Sequence, residues 1–425
     1  MHRRSLVSAV AGCILLFAGR ASFASDAAAK WVTPDASRGH STASFMFAAT
    51  AMRLTRSCAN ANPRSAHLMG SGRIGSYDAV NSARAATTAG SNLLGPKSVL
   101  VLTLRTSTQT TRCTNATMGA IVFTDTRSTS AYSGSVAGFY SENSYGQLTL
   151  TGQVSGPYTI DMSLPCTLNN MKAWADAADA AATAAGVDVR SYDAKVYMLP
   201  SESTTKCSPW GGWADGDRVW MRDDQCDARH ILAHELGHTF GARHAGIPGT
   251  GNAELYADAS SVMGGLLLPA GVTGRGVADS STLDLWNSTA HFNAPSKIDM
   301  GWLPAHAIQT VTASGSHKIA MLERTPSSDI QVLRIGTTIF SYRRAVGYDS
   351  DLRSQYVDNT SVHTGGNGRA TILLANLGDG QSFTDGAGLT VTQTRHDSVY
   401  AYLRVTVSVP RKDPSGSAVL VNRLP

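Results

Sequence analysis

The sequence is short of charge. Only 16% of its 425 residues are Asp, Glu, Lys or Arg, against roughly 25% in ordinary soluble domains. Neither sign prevails: 36 cations face 31 acids, a formal net charge of +5. Three of those cations, Arg3, Arg4 and Arg20, precede residue 25, where there is no acid. The remainder carries 33 against 31, or +2, too little for a protein that grips nucleic acid through its phosphates. Long apolar runs are also missing. None reaches the roughly 18 residues of a spanning helix, so no membrane span is expected. Hydrophobic residues are nevertheless 42% of the chain, enough to bury a core and to exclude wholesale disorder. The length allows two or three domains.

The N-terminus accounts for the stray arginines. His2-Arg3-Arg4 precedes a mostly apolar run, Leu6 to Phe17, and Ser22-Phe23-Ala24 offers small residues where a signal peptidase reads. Residues 1–24 are therefore expected to be a secretory signal, and the protein to be secreted and extracellular. The alternatives are an uncleaved N-terminal anchor, or lipid attachment at Cys13 within Val10-Ala11-Gly12-Cys13. Five cysteines follow the signal: Cys58, Cys113, Cys166, Cys207 and Cys226. An extracellular setting permits disulfides, and an odd count leaves one thiol over. Cys207 and Cys226 bracket one loop and are the first expected pair. Cys113 with Cys166 is the second, which strands Cys58.

Texture divides the rest. Residues 25–96, rich in Ala, Ser, Asn and Gly, show no sustained period and are expected to form an N-terminal segment, in the manner of a propeptide. From 97 to 305 strand and helix patterns mix. Lys97–Leu104, Ala120–Thr124, Gln147–Thr151, Ala194–Leu199 and Arg218–Met221 read as strands. Asn170–Ala185 reads as a helix capped by Asn169 or Asn170, and Asp227–Gly241 as a second helix. From 306 to 425 short strands recur at sandwich-like spacing. The expected fold is an α/β (α+β) domain followed by an all-β, sandwich-like domain, with the chain a monomer.

The chemistry concentrates in His234-Glu235-Leu236-Gly237-His238-Thr239-Phe240-Gly241-Ala242-Arg243-His244. On a helix, i and i+4 share a face, so His234 and His238 present two imidazoles to one ion. Glu235 stands beside the first. Gly241 lets the chain leave the helix, so that His244 can return as third ligand. Three neutral imidazoles leave a fourth position on one catalytic zinc for a water, whose acidity zinc raises and which Glu235 can deprotonate. His230, a turn earlier, is expected to support the set rather than to bind.

This extended motif resembles that of the metzincin metallopeptidases, and Ser261-Val262-Met263-Gly264-Gly265 resembles the methionine turn beneath their metal, making Met263 the turn residue. More narrowly, several segments look like gametolysin-type peptidases: Phe139-Tyr140-Ser141-Glu142-Asn143-Ser144-Tyr145-Gly146, Cys207-Ser208-Pro209-Trp210-Gly211-Gly212, Tyr256-Ala257-Asp258-Ala259-Ser260-Ser261-Val262-Met263-Gly264, and His291-Phe292-Asn293-Ala294-Pro295-Ser296-Lys297. The resemblance implies a metzincin-like zinc endopeptidase that hydrolyses protein or peptide substrates, among them extracellular-matrix or cell-wall glycoproteins. It also implies an edge strand along the cleft, expected at Arg218–Met221. Where some metzincins carry a tyrosine two residues after the turn methionine, this chain has Gly265. The oxyanion partner is thus open, with Tyr256 and His291 as candidates. Cys58 could serve as a latency thiol on zinc, pair with Cys113 or Cys166, or stay idle. Arg56-Ser57-Cys58-Ala59-Asn60 lacks the fuller cysteine-switch motif. The competing reading is an inactive homologue, a zinc-containing binding protein attached to surface glycoproteins through its β-rich domain.

Overall fold

Val99 to Leu104 are six consecutive residues with almost no exposure, the mark of a strand covered on both faces. In the computed structural model they lie in β1 (Gly95–Arg105), the second strand of a five-stranded sheet ordered β2-β1-β3-β5-β4. Its other members are β2 (Leu148–Thr159), β3 (Ala194–Met198), β4 (Gly212–Asp215) and β5 (Arg218–Met221). All neighbours pair in parallel except β4 with β5. The structure describes residues 93–124, 134–208, 210–248, 258–264, 290–350, 352–408, 410–412 and 418–420. Every described residue belongs to one compact unit within Ser71–Pro425.

Alternate residues of β1 serve two different cores. Val99 and Val101 join a cluster with Met118, Phe139, Leu232 and Leu236. Those residues come from α1 (Asn115–Val122), α2 (Val136–Asn143) and α4 (Arg229–Thr239). Leu100, Leu102 and Leu104 face the other way, onto Trp174, Ala175 and Ala178 of α3 (Leu168–Ala184).

Four departures from expectation appear, the first two owed to the sheet. The same four cysteines pair, but as Cys113–Cys226 and Cys166–Cys207, not as Cys207–Cys226 and Cys113–Cys166. Cys113 and Cys226 belong to one core cluster, while Cys207 and Cys166 belong to the other. The sheet stands between the sets, so nearness in sequence is a poor guide. The strand Arg218–Met221 is not an edge: it lies between β3 and β4, because the four residues Gly212–Asp215 fold back beside it. Finally, Ala120–Thr124 is not a strand. It ends α1, which Thr114 starts by accepting from the Thr117 amide, a short apolar run that either period can claim. Helix α3 likewise begins earlier than expected, capped by Thr167.

Two larger sheets follow, besides a two-stranded one in which Pro410–Lys412 pairs with Ala418–Leu420. One has six strands in the order β6-β12-β11-β10-β9-β7: β6 (Ala245–Gly246), β7 (Ile308–Thr310), β9 (Val332–Ile335), β10 (Thr338–Arg343), β11 (Asn359–Gly365) and β12 (Thr371–Leu377). The other is ordered β13-β14-β15-β8: β8 (Gly315–Ala320), β13 (Ser382–Thr384), β14 (Leu389–His396) and β15 (Tyr400–Val407). They share a cluster in which Phe340, Tyr342 and Val362 meet Ile319, Val391 and Leu403. The architecture is one of mixed α/β sheets with few helices. One connection matters for the site: β6, immediately after His244, pairs in parallel with β12.

Candidate metal centre

Helix α4 carries His234 and His238 one turn apart and stops where the sequence predicts a stop. Gly241 has φ of 96°, open to a residue without Cβ. The Ala242 amide donates to the Gly237 carbonyl at 2.8 Å and the Gly241 amide to the His238 carbonyl at 3.1 Å, the paired bonds of a Schellman end. The chain turns there and brings His244 back to the helix. The ligand atoms of His234, His238 and His244 lie within 4.8 Å of one another. His238 Nε2 is 3.1 Å from Nε2 of both His234 and His244. Three nitrogens at 2.0–2.1 Å from one tetrahedral ion would stand roughly 3.3 Å apart.

The outer ring atoms show that the set fits a cation. His234 Nδ1 lies 2.9 Å from the Val262 carbonyl, and His238 Nδ1 lies 3.0 Å from the Ala242 carbonyl. A carbonyl can only accept, so each Nδ1 carries the proton and each Nε2 turns a bare lone pair inward. Bare lone pairs at 3.1 Å repel, and a cation between them removes the repulsion. Burial supports the neutral form. It pushes His234 down to about 4, against the pull of the Val262 carbonyl. It pushes His238 and His244 well below the usual histidine range, with the neighbouring imidazoles adding to the effect.

Glu235 is buried beside this set, and burial raises its carboxyl to about 8. Its side chain lies across Gly212 of β4. A Cβ built on Gly212 would come within 2.7 Å of Glu235 Cγ and 3.0 Å of Oε1. Met263 packs beneath: a Cβ on Gly237, between the two helical histidines, would meet its sulfur at 2.8 Å. The Met263 carbonyl accepts from the Ala245 amide at 2.9 Å. His230 is buried one turn before His234, outside the converging group. His291 faces elsewhere: Nε2 is 2.8 Å from Glu142 Oε1 and Nδ1 is 3.3 Å from Lys297 Nζ. Tyr256, Cys13 and Cys58 lie outside the described residues. The two bridges leave Cys13 and Cys58 as the chain's remaining cysteines.

Sequence reading did not assign the groups that fix this site from behind. Tyr140 donates to the Ala233 carbonyl of α4 at 2.6 Å. Asp258 and Asn293 sat inside segments already singled out for resemblance, but their partners are remote. Asp258 Oδ2 is 3.1 Å from His363 Nε2, and Asn293 Nδ2 donates to Thr371 Oγ1 at 2.7 Å. Nothing local marks His363 or Thr371 as belonging here.

No match is found among curated proteins. A family model, gametolysin peptidase M11, matches residues 98–371, a stretch that takes in the three histidines, Glu235 and Met263. It ends at Thr371, whose amide donates to the His244 carbonyl at 3.0 Å. A match over more than half the chain, together with a three-histidine set able to hold a metal, makes this chain a member of the gametolysin M11 peptidase family, and so a metallopeptidase.

Proposed function

We propose that the protein is a secreted zinc endopeptidase that cleaves extracellular or cell-wall proteins. The observation that carries this reading is the convergence of His234, His238 and His244 beside buried Glu235. Zinc held there would supply Lewis acidity, polarising the scissile carbonyl and acidifying a water. The chain's own residues do the rest. Val262 and Ala242 carbonyls hold two imidazoles in the tautomer that presents Nε2. Glu235 Oε takes a proton from the attacking water and delivers it to the departing amide nitrogen. Met263 supports the helix under the histidines. The signal-like N-terminus supports export, as do the two disulfides. No helix among the described residues is long and apolar enough to cross a membrane.

The test is metal analysis and casein hydrolysis of the secreted product, with its N-terminus sequenced. One zinc per chain is expected, with activity lost to a chelator and restored by zinc. His238→Ala should lose both metal and activity. Chelator-resistant hydrolysis, or full metal content in His238→Ala, would reject the reading.

Gly212 offers a separate probe of Glu235. Gly212→Ala puts a methyl where the Glu235 side chain lies, and an ångström-scale misplacement of a reacting group costs about 10²-fold in rate. Activity should fall by that order while zinc content stays at one. A change of only a few-fold would show that the carboxyl's position against β4 is immaterial.

A further inference from the structure

We propose that His363 is a positioning residue of the metal centre, acting through Asp258, and that the six-stranded sheet is that centre's outer wall. The proposal rests on the reading that His234, His238 and His244 hold a metal.

Three successive strands each place one bond on the segments that orient the histidines. From β10, Arg343 Nη1 donates to the Ser260 carbonyl at 3.0 Å. From β11, His363 Nε2 meets Asp258 Oδ2 at 3.1 Å. From β12, the Thr371 amide donates to the His244 carbonyl at 3.0 Å. Asp258 is the centre of the arrangement. Its Oδ1 accepts from the Ser260 amide at 3.0 Å, closing the turn whose Val262 carbonyl orients His234. That turn has no slack, since a Cβ on Gly264 would stand 2.3 Å from both the Ala245 and Asp258 carbonyl oxygens.

Asp258 and His363 are fully buried, so the carboxylate depends on protein donors. Besides His363, Oδ2 has the Asn293 amide at the longer distance of 3.3 Å. The imidazole has no second tie to distract it: Nδ1 meets no hydrogen-bond partner among the described residues. Removing the ring therefore frees Asp258 to swing towards Asn293, or to take a proton, and either event moves the Ser260–Val262 turn. The effect arrives at His234 as a loss of ring orientation. Groups that orient ligand histidines are worth about 10–100-fold in metal affinity.

The experiment uses the full chain loaded with Co(II). It follows metal release to a competing chelator, together with the melting temperature of the metal-free form. His363→Ala and Asp258→Asn are expected to release the ion about 10–100-fold faster than wild type. His363→Gln, whose amide can still donate to Asp258, should stay within a few-fold of wild type. A merely structural role would lower the metal-free melting temperature and leave the release rate where it was. Wild-type release from His363→Ala and Asp258→Asn overturns the proposal. If His363→Ala does not fold, Asp258→Asn against His363→Gln decides in the same way. A wild-type chain that takes up no Co(II), or whose uptake survives His238→Ala, overturns the metal reading and this inference with it. Uptake lost in His238→Ala, with release unmoved in the Asp258 and His363 variants, overturns this inference alone.

Discussion

Glu235→Ala is expected to keep its zinc and to lose about 10²–10⁴-fold in peptide hydrolysis, the usual worth of a positioned acid–base group. The separation of the two properties is the point. Glu235 is not among the three converging imidazoles, so the metal's holders survive the change. Its carboxyl is buried, and burial alone holds it up at about 8; the positive charge of a bound zinc would bring it down to where the carboxylate can take the water's proton. Glu235→Gln is the sharper companion, since it keeps the shape against Gly212 and removes the base. Both should show one zinc per chain and a collapsed kcat. Near-wild-type turnover in either would remove Glu235 from the chemistry, and lost zinc would make it part of the metal's support.

The second large effect belongs to the wall of the site. Arg343 is fully buried, with Asp349 on one side and Glu323 Oε1 at 2.7 Å on the other. Arg343→Met would leave two carboxyl groups together without their cation. Breaking a buried ion pair from one side costs about 3–5 kcal/mol, and that loss of stability is expected at neutral pH. The pH dependence gives it a signature. In the wild type, burial pushes the Asp349 carboxyl up, but the Arg343 guanidinium holds it below the ordinary range. A folded-state pKa below the unfolded one contributes stability above pH 4 that is lost as pH falls. Burial already raises the Glu323 carboxyl to about 8, and without Arg343 it raises Asp349 too, against only the lowering effect of His291 and Glu323. Their contribution is then present at acid pH and lost as pH rises. The variant should accordingly recover part of its deficit between pH 7 and pH 5, read by denaturant unfolding. A deficit under about 1 kcal/mol, or one that does not change with pH, would show that the cluster is not held by its charges.

What the sequence made legible is what is local. The three histidines and Glu235 fall within eleven residues, and helix periodicity alone puts two of them on one face. Gly241 announces the turn that returns the third. The strands Lys97–Leu104 and Ala194–Leu199 were plain because both of their faces are buried. The disulfide partners were not, because pairing depends on which face of the five-stranded sheet each loop crosses. The interior position of Arg218–Met221 is hidden for a similar reason: its neighbour Gly212–Asp215 is too short and too rich in small residues to show a period of its own. His363 was invisible for a third reason. It sits in an ordinary strand, and its importance comes from a carboxylate 105 residues earlier.

That separation bears on when the enzyme can exist. The amide that pins His244 belongs to Thr371, the ring that fixes Asp258 belongs to His363, and Glu142 accepts from the Tyr348 amide 206 residues away. Contacts this distant in the chain close late and slowly. A ribosome that has finished the histidine motif still has well over a hundred residues to add before the last of these ties can form. Unfinished chains therefore carry the histidine motif without the ties that Thr371 and His363 bring to it.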